Sequence, residues 1–122
     1  MWTDFCQASE KAMLEARTQM NDYRLIMMGQ DRILTPHETV KMHDVFVEKI
    51  RHWFSSVLTG ARVVITHYAP VVNSNTKYGN SSLMPAFNSL DMIAIIETHQ
   101  PALWVYGHTH ECDNQSKGTN HF

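Results

Sequence analysis

Two short stretches hold the residues best suited to chemistry. His67 closes the run Arg62-Val63-Val64-Ile65-Thr66-His67, and Gly107-His108-Thr109-His110 follows Ala102-Leu103-Trp104-Val105-Tyr106. Imidazole is the commonest side-chain metal ligand, and it suits zinc and iron alike. Two histidines one residue apart share a side of an extended chain. Gly107 lets the backbone leave a strand through conformations closed to other residues. A single histidine at a strand end is more often a polar cap facing water. Here two such ends occur in one chain, and in a parallel sheet ligands bind beyond the carboxyl ends of the strands. Topology alone would therefore bring His67, His108 and His110 to one edge.

The remaining candidates are plainer. His43 borders the apolar face of a helix and reads as a packed histidine; His37 and His52 face solvent. His99 falls at a helix C-terminus, where its cationic form is favoured, and His121 is in the tail. Cys112 reads as a loop thiol, and Asp113 and Asn114 as turn formers. Asn73, Asn75, Tyr78 and Asn80 lie in the polar loop 70–82, which should overhang the histidine edge and could touch substrate, although such residues are usually only solvated.

The elements that must position these groups follow from periodicity. Both histidine-terminated runs are dense in apolar and β-branched residues, as expected of strands buried on both faces. Between them, Ser89 to His99 has helical spacing through Leu90, Ile93, Ile96 and Glu97, and Pro101 ends it. Strand, helix, strand predicts a parallel βαβ unit with a right-handed crossover. Upstream, Thr35-Pro36-His37-Glu38 is a capping box with proline at the first helical position, opening a helix to about Leu58, before Gly60. Phe46, Ile50, Trp53, Phe54 and Val57 form its apolar face. Ser9 caps a helix running to Met20 with a stripe of Ala12, Met13, Ala16 and Met20. Tyr23 to Met28 reads as a short strand ended by Gly29, and His108 to Phe122 as a turn-rich tail.

Composition bounds the function. The chain has 122 residues, 43% hydrophobic and 18% charged, enough apolar content for a core and one domain or part of one. Its formal net charge is -2, and Lys and Arg are scattered, so there is no dedicated nucleic-acid-binding surface. Cys6 and Cys112 make neither a zinc pair nor a disulfide framework, which points to reduced thiols and a cytoplasmic location. Asp4, Glu10, Lys11, Glu15 and Arg17 break up the first twenty residues, so no secretory segment is expected, and no apolar run is long enough for a bilayer.

Gly107-His108-Thr109-His110 resembles the G-H-x-H signature of calcineurin-like metallophosphoesterases, and Thr66-His67-Tyr68-Ala69-Pro70 resembles the same family's T-H-H-x-P strand end. Trp2-Thr3-Asp4-Phe5, Met20-Asn21-Asp22-Tyr23-Arg24, Leu34-Thr35-Pro36 and Pro101-Ala102-Leu103-Trp104 resemble a bacterial, cytoplasmic branch of that family. The resemblance implies an α/β (α+β) fold of four layers, mixed β-sheets flanked by helices, of which this chain is a βαβ-containing C-terminal half. It implies two divalent metals, among Mn, Fe, Zn and Ni, with His67 and His108 on one and His110 on the other. The metals would clamp a phosphate ester and activate a bound water for hydrolysis of phosphomonoesters or phosphodiesters.

The chain also departs from the family. D-x-H, G-D-x-x-D and G-N-H-D/E do not occur, and they would precede Trp2. Tyr68 stands where a second histidine is frequent. Gly118-Thr119 fits, but the chain ends at Phe122 where the family continues into another strand. The expectation is that residues 1–122 are the C-terminal portion of one domain, truncated at both ends, and inactive alone. Its partners would be a phosphate-ester substrate and an N-terminal half or a second copy, with no membrane. The alternative is a non-catalytic or partner-dependent fragment that binds a single metal or none.

Overall fold

The capping box at Thr35 forms as its residues dictate: the Thr35 hydroxyl accepts from the Glu38 amide, and Glu38 accepts from the Thr35 amide at 3.0 Å. The long helix α4 it opens spans Pro36–Ser55 and buries Thr39, His43, Val47, Ile50 and Phe54 along one stripe. It ends before Leu58, because Ser56 turns extended; Val57 is therefore fully exposed instead of joining the apolar face. Arg62 holds that end. Its guanidinium donates to the Phe54 and Ser56 carbonyls and lies 5.5 Å from the Trp53 and Phe54 ring centroids.

The computed structural model describes residues 1–73, 75–117 and 120–121, with side chains up to residue 116 apart from 74. The Gly118-Thr119 match, the side chain of His121 and the end at Phe122 lie outside the described residues. Ahead of α4 come α1 (Phe5–Ala8), α2 (Glu10–Gln19) and α3 (Asp22–Leu25). Ser9 caps α2 as expected, and Ala12, Met13 and Ala16 pack inward. The four residues of α1 all have positive φ, between 50° and 62°, making a single left-handed turn of non-glycine residues. Such a turn costs roughly 1–2 kcal/mol per residue. The Asp4 carboxylate accepts from the Cys6 and Gln7 amides, and the buried Phe5 ring anchors it.

The strand expected over Tyr23 to Met28 is not one. Asp22 starts a helical turn, and Tyr23 is buried with its hydroxyl 2.9 Å from that of Thr39. Leu25, Ile26 and Met27 are exposed, and in place of a strand there is an isolated Met27–Ile33 bridge around Gly29, whose φ of 100° suits glycine.

The βαβ unit is present. β1 (Val63–Ile65) and β2 (Leu103–Val105) pair in parallel with Val63, Val64 and Ile65 opposite Leu103, Trp104 and Val105. Between them lie α5 (Met84–Phe87) and α6 (Met92–His99). β3 (Ser116–Lys117) and β4 (Asn120–His121) complete a sheet of order β1-β2-β4-β3, in which β4 runs parallel to β2 and antiparallel to β3. The architecture is α/β. Among the described residues no helix is long and apolar enough to cross a membrane.

Burial of β1 and β2 on both faces is corrected. Val64 and Trp104 point into a core with Val47, Ile50 and Phe54 of α4 and Met92, Ile95 and Ile96 of α6. Val63, Ile65, Leu103 and Val105 are exposed, Ile65 by 76%. Among the described residues, helices cover one face of the sheet only. Ile65→Lys is therefore expected to change stability by no more than about 0.5 kcal/mol. Val64→Lys should abolish cooperative urea unfolding. A large loss from Ile65→Lys would mean that the outer face is covered after all.

Candidate functional site

The ladder between β1 and β2 runs one step past the strands. Thr66 donates its amide to the Val105 carbonyl at 2.9 Å, and Gly107 donates to the His67 carbonyl at 3.1 Å. His67 is thereby laid beside Gly107-His108 at the carboxyl ends of both strands, as topology demanded. The left-handed conformations that follow are taken by His108 (φ 74°) and His110 (φ 54°), not by Gly107.

His108 Nδ1 lies 3.0 Å from His67 Nε2, with the two rings nearly perpendicular. The His108 pKa is pushed down to about 4, chiefly by burial and then by the charge of His67 and of His110, against an opposing pull from Asp22. At neutral pH His108 is therefore an uncharged imidazole, the form that binds a metal. Tyr68 and Phe87 wall it, with ring centroids 4.3 Å and 5.2 Å from that of His108. Burial pushes the Tyr68 pKa up, so its phenol stays protonated.

His110 does not join the pair. Expecting His108 and His110 on one side assumed an extended segment, and the two left-handed residues break that alternation. His110 is exposed, and among the described residues no group of three or more His, Cys, Asp or Glu could hold a metal ion. Two of the three expected ligands are brought together.

The loop after His67 is tied down by the segment after His110. Glu111 accepts from the Lys77 amide at 2.9 Å and the Thr76 hydroxyl at 2.7 Å, which in that order hold its pKa below the usual carboxylate value. Asn73 donates to the Cys112 carbonyl at 3.4 Å, and its own Oδ1 accepts from the Asn75 amide. Asn73 and Asn75 thus build the loop. Tyr78 stacks edge-on against Phe87, one ring removed from His108, and Asn80 is exposed. Cys112 is exposed, and Asp113 accepts from the Tyr106 hydroxyl and from Gln115. Sequence reasoning gave no role to Asp22, whose charge favours the cationic form of His108, nor to Phe87. Asp22 had a signal, as the acidic residue opening α3; Phe87 had none.

No protein-family model, no curated protein and no solved structure matches this chain.

Proposed function

We propose that His67 and His108 bind one divalent transition metal, and that the chain is the C-terminal portion of a calcineurin-like metallophosphoesterase. The observation that carries this reading is the 3.0 Å between His67 Nε2 and His108 Nδ1 at the carboxyl ends of two parallel strands. Two nitrogens each about 2.0–2.1 Å from one tetrahedral zinc ion are about 3.3–3.4 Å apart, so the pair would open by a few tenths of an ångström to take the ion. The low pKa of His108 and its aromatic walls favour a lone pair over a proton. A metal bound there would polarise a phosphoryl oxygen and acidify a bound water. The chain's own residues orient the imidazoles: Tyr68 and Phe87 wall His108, and the tether from Glu111 keeps Thr76 and Lys77 in place.

Phosphoryl transfer with two metals about 3.5–4 Å apart calls for carboxylates between them. Among the described residues no Asp or Glu completes a metal-sized group with the pair. The same observation favours the second reading, a single-metal protein without catalysis on its own. Hydrolysis is assigned to this chain together with a segment supplying the D-x-H and G-N-H motifs. Both cysteines are free, which fits a reducing, cytoplasmic setting.

Calorimetric titration with Zn²⁺ or Mn²⁺ at neutral pH tests the site. The expected result is one ion per chain, weakened about tenfold or more by His67→Ala and by His108→Ala, a change of about 1.4 kcal/mol each. His110→Ala should have a smaller effect, and the isolated chain should not hydrolyse an aryl phosphate. Affinity unchanged in both His67→Ala and His108→Ala would overturn the site.

A further inference from the structure

We propose that a second cavity, independent of the histidine pair, binds a small apolar molecule carrying a primary ammonium group. The cavity measures about 390 Å³ and lies between the left-handed turn α1, the start of α5 and the entry to α6. That volume is at the lower end of the roughly 300–1,000 Å³ of ligand pockets and suits one ring with a short chain. Val72, Met84, Pro85 and Leu90 make its apolar wall. Val72 and Leu90 are 39% and 46% exposed, so apolar surface is left in water that a ligand would cover.

The polar lining decides the charge of the ligand. Asp4 and Asp91 line the cavity with the neutral Gln7 and Asn88, and among the described residues no lysine, arginine or histidine does. Each oxygen of Asp4 accepts one amide hydrogen, and Asp91 gives one oxygen to His43. An ionised carboxylate offers about four acceptor positions, so both keep sites free for a donor. A carboxylate or phosphate ligand would meet the uncompensated charge of Asp4; the charge of Asp91 is offset by the His43 ring that donates to it from behind, so Asp4 sets the preference.

Cys6 lines the same cavity and Cys112 does not, and both thiols are exposed. Cys112 is therefore an internal reference for alkylation by iodoacetamide, followed peptide by peptide by mass spectrometry. With phenethylamine as probe, Cys6 modification should slow saturably while Cys112 reacts unchanged. 3-Phenylpropanoate, of similar shape and opposite charge, should protect at least about tenfold more weakly. Asp4→Asn keeps a capping side chain and should remove the preference for the amine. Leu90→Trp, at an exposed position, should fill the cavity and weaken phenethylamine binding about tenfold or more by calorimetry. Equal protection by the carboxylate, no saturable protection of Cys6, or full protection in both variants would each overturn the proposal.

Discussion

Asp91→Asn is expected to invert the pH dependence of stability. The reason lies in His43, fully buried with Nδ1 2.8 Å from the Trp2 carbonyl and Nε2 2.6 Å from Asp91 Oδ2. A carbonyl only accepts, so Nδ1 carries a hydrogen. An ionised carboxylate only accepts, so Nε2 carries one as well. With both nitrogens donating, the geometry is the one an imidazolium satisfies. Burial pushes its pKa down, but the Asp91 hydrogen bond and charge, the Trp2 carbonyl and the charge of Asp4 outweigh burial, and the net shift is upward. A folded pKa above the unfolded value means that this stability is complete below about 6.5 and is lost as pH rises through the folded value. Asparagine can instead donate to a neutral Nε2. Burial then dominates, the folded pKa falls below 6.5, and stability is lost as pH falls. Urea midpoints measured from pH 5 to 9 should fall with rising pH in the parent chain and rise in Asp91→Asn. Asp91→Ala leaves the imidazole unpaired and should cost about 3 kcal/mol at pH 6. That is the low end of the range for a broken buried pair, because the Asp91 side chain is 33% exposed. Parallel slopes in parent and Asp91→Asn would rule out the imidazolium.

Trp104→Ala should unfold the chain or bring it to the edge of unfolding. Trp104 is 0% exposed and sits among the residues that α4, α6 and β1 turn inward. Removing a buried aromatic side chain costs about 3–5 kcal/mol, against a total of about 5–15 kcal/mol for a typical domain. The indole also donates to the Thr66 hydroxyl at 2.9 Å, and Thr66 donates to the Tyr68 carbonyl at 2.8 Å. The core is thus tied to the backbone of Tyr68, whose ring walls His108. Trp104→Phe should cost less and keep the fold, while breaking this relay and perturbing the His108 imidazole resonances. A loss below about 1 kcal/mol for Trp104→Ala, by urea unfolding followed by circular dichroism, would mean the core lies elsewhere.

Local signals were legible in the sequence. Thr35, Pro36 and Glu38 mark a helix start that needs no distant partner, and Ser9 does the same for α2. The pairing of β1 with β2, and so the meeting of His67 and His108, followed from two apolar runs separated by a helical pattern. What failed depended on distant contacts. The start of α6 was misplaced because Ser89 bonds to the Trp2 and Ala69 carbonyls, forming a turn that puts Leu90 outside. Tyr23 has strand-like neighbours, but its hydroxyl is claimed by Thr39 in α4. The apolar runs could not say whether anything covers the second face of the sheet. Nor did any residue type announce left-handed backbone at Phe5 to Ala8, or at His108 and His110. Those last two angles separate His110 from its expected partners.

The two imidazoles that meet at 3.0 Å stand 41 positions apart in the chain. Bringing such distant points together carries a loop-closure entropy that grows as the logarithm of the separation, about 3 kcal/mol for a flexible loop of that size. The pair therefore does not survive local fraying of β1 or β2; it exists only when the crossover is closed. Any ion that bridges the two nitrogens is bound to the closed state alone, and its binding free energy is added to that of closure. At a concentration 100 times its dissociation constant it would raise stability by about 2.7 kcal/mol. The melting temperature thus becomes a readout of occupancy, and the ion a staple across the crossover.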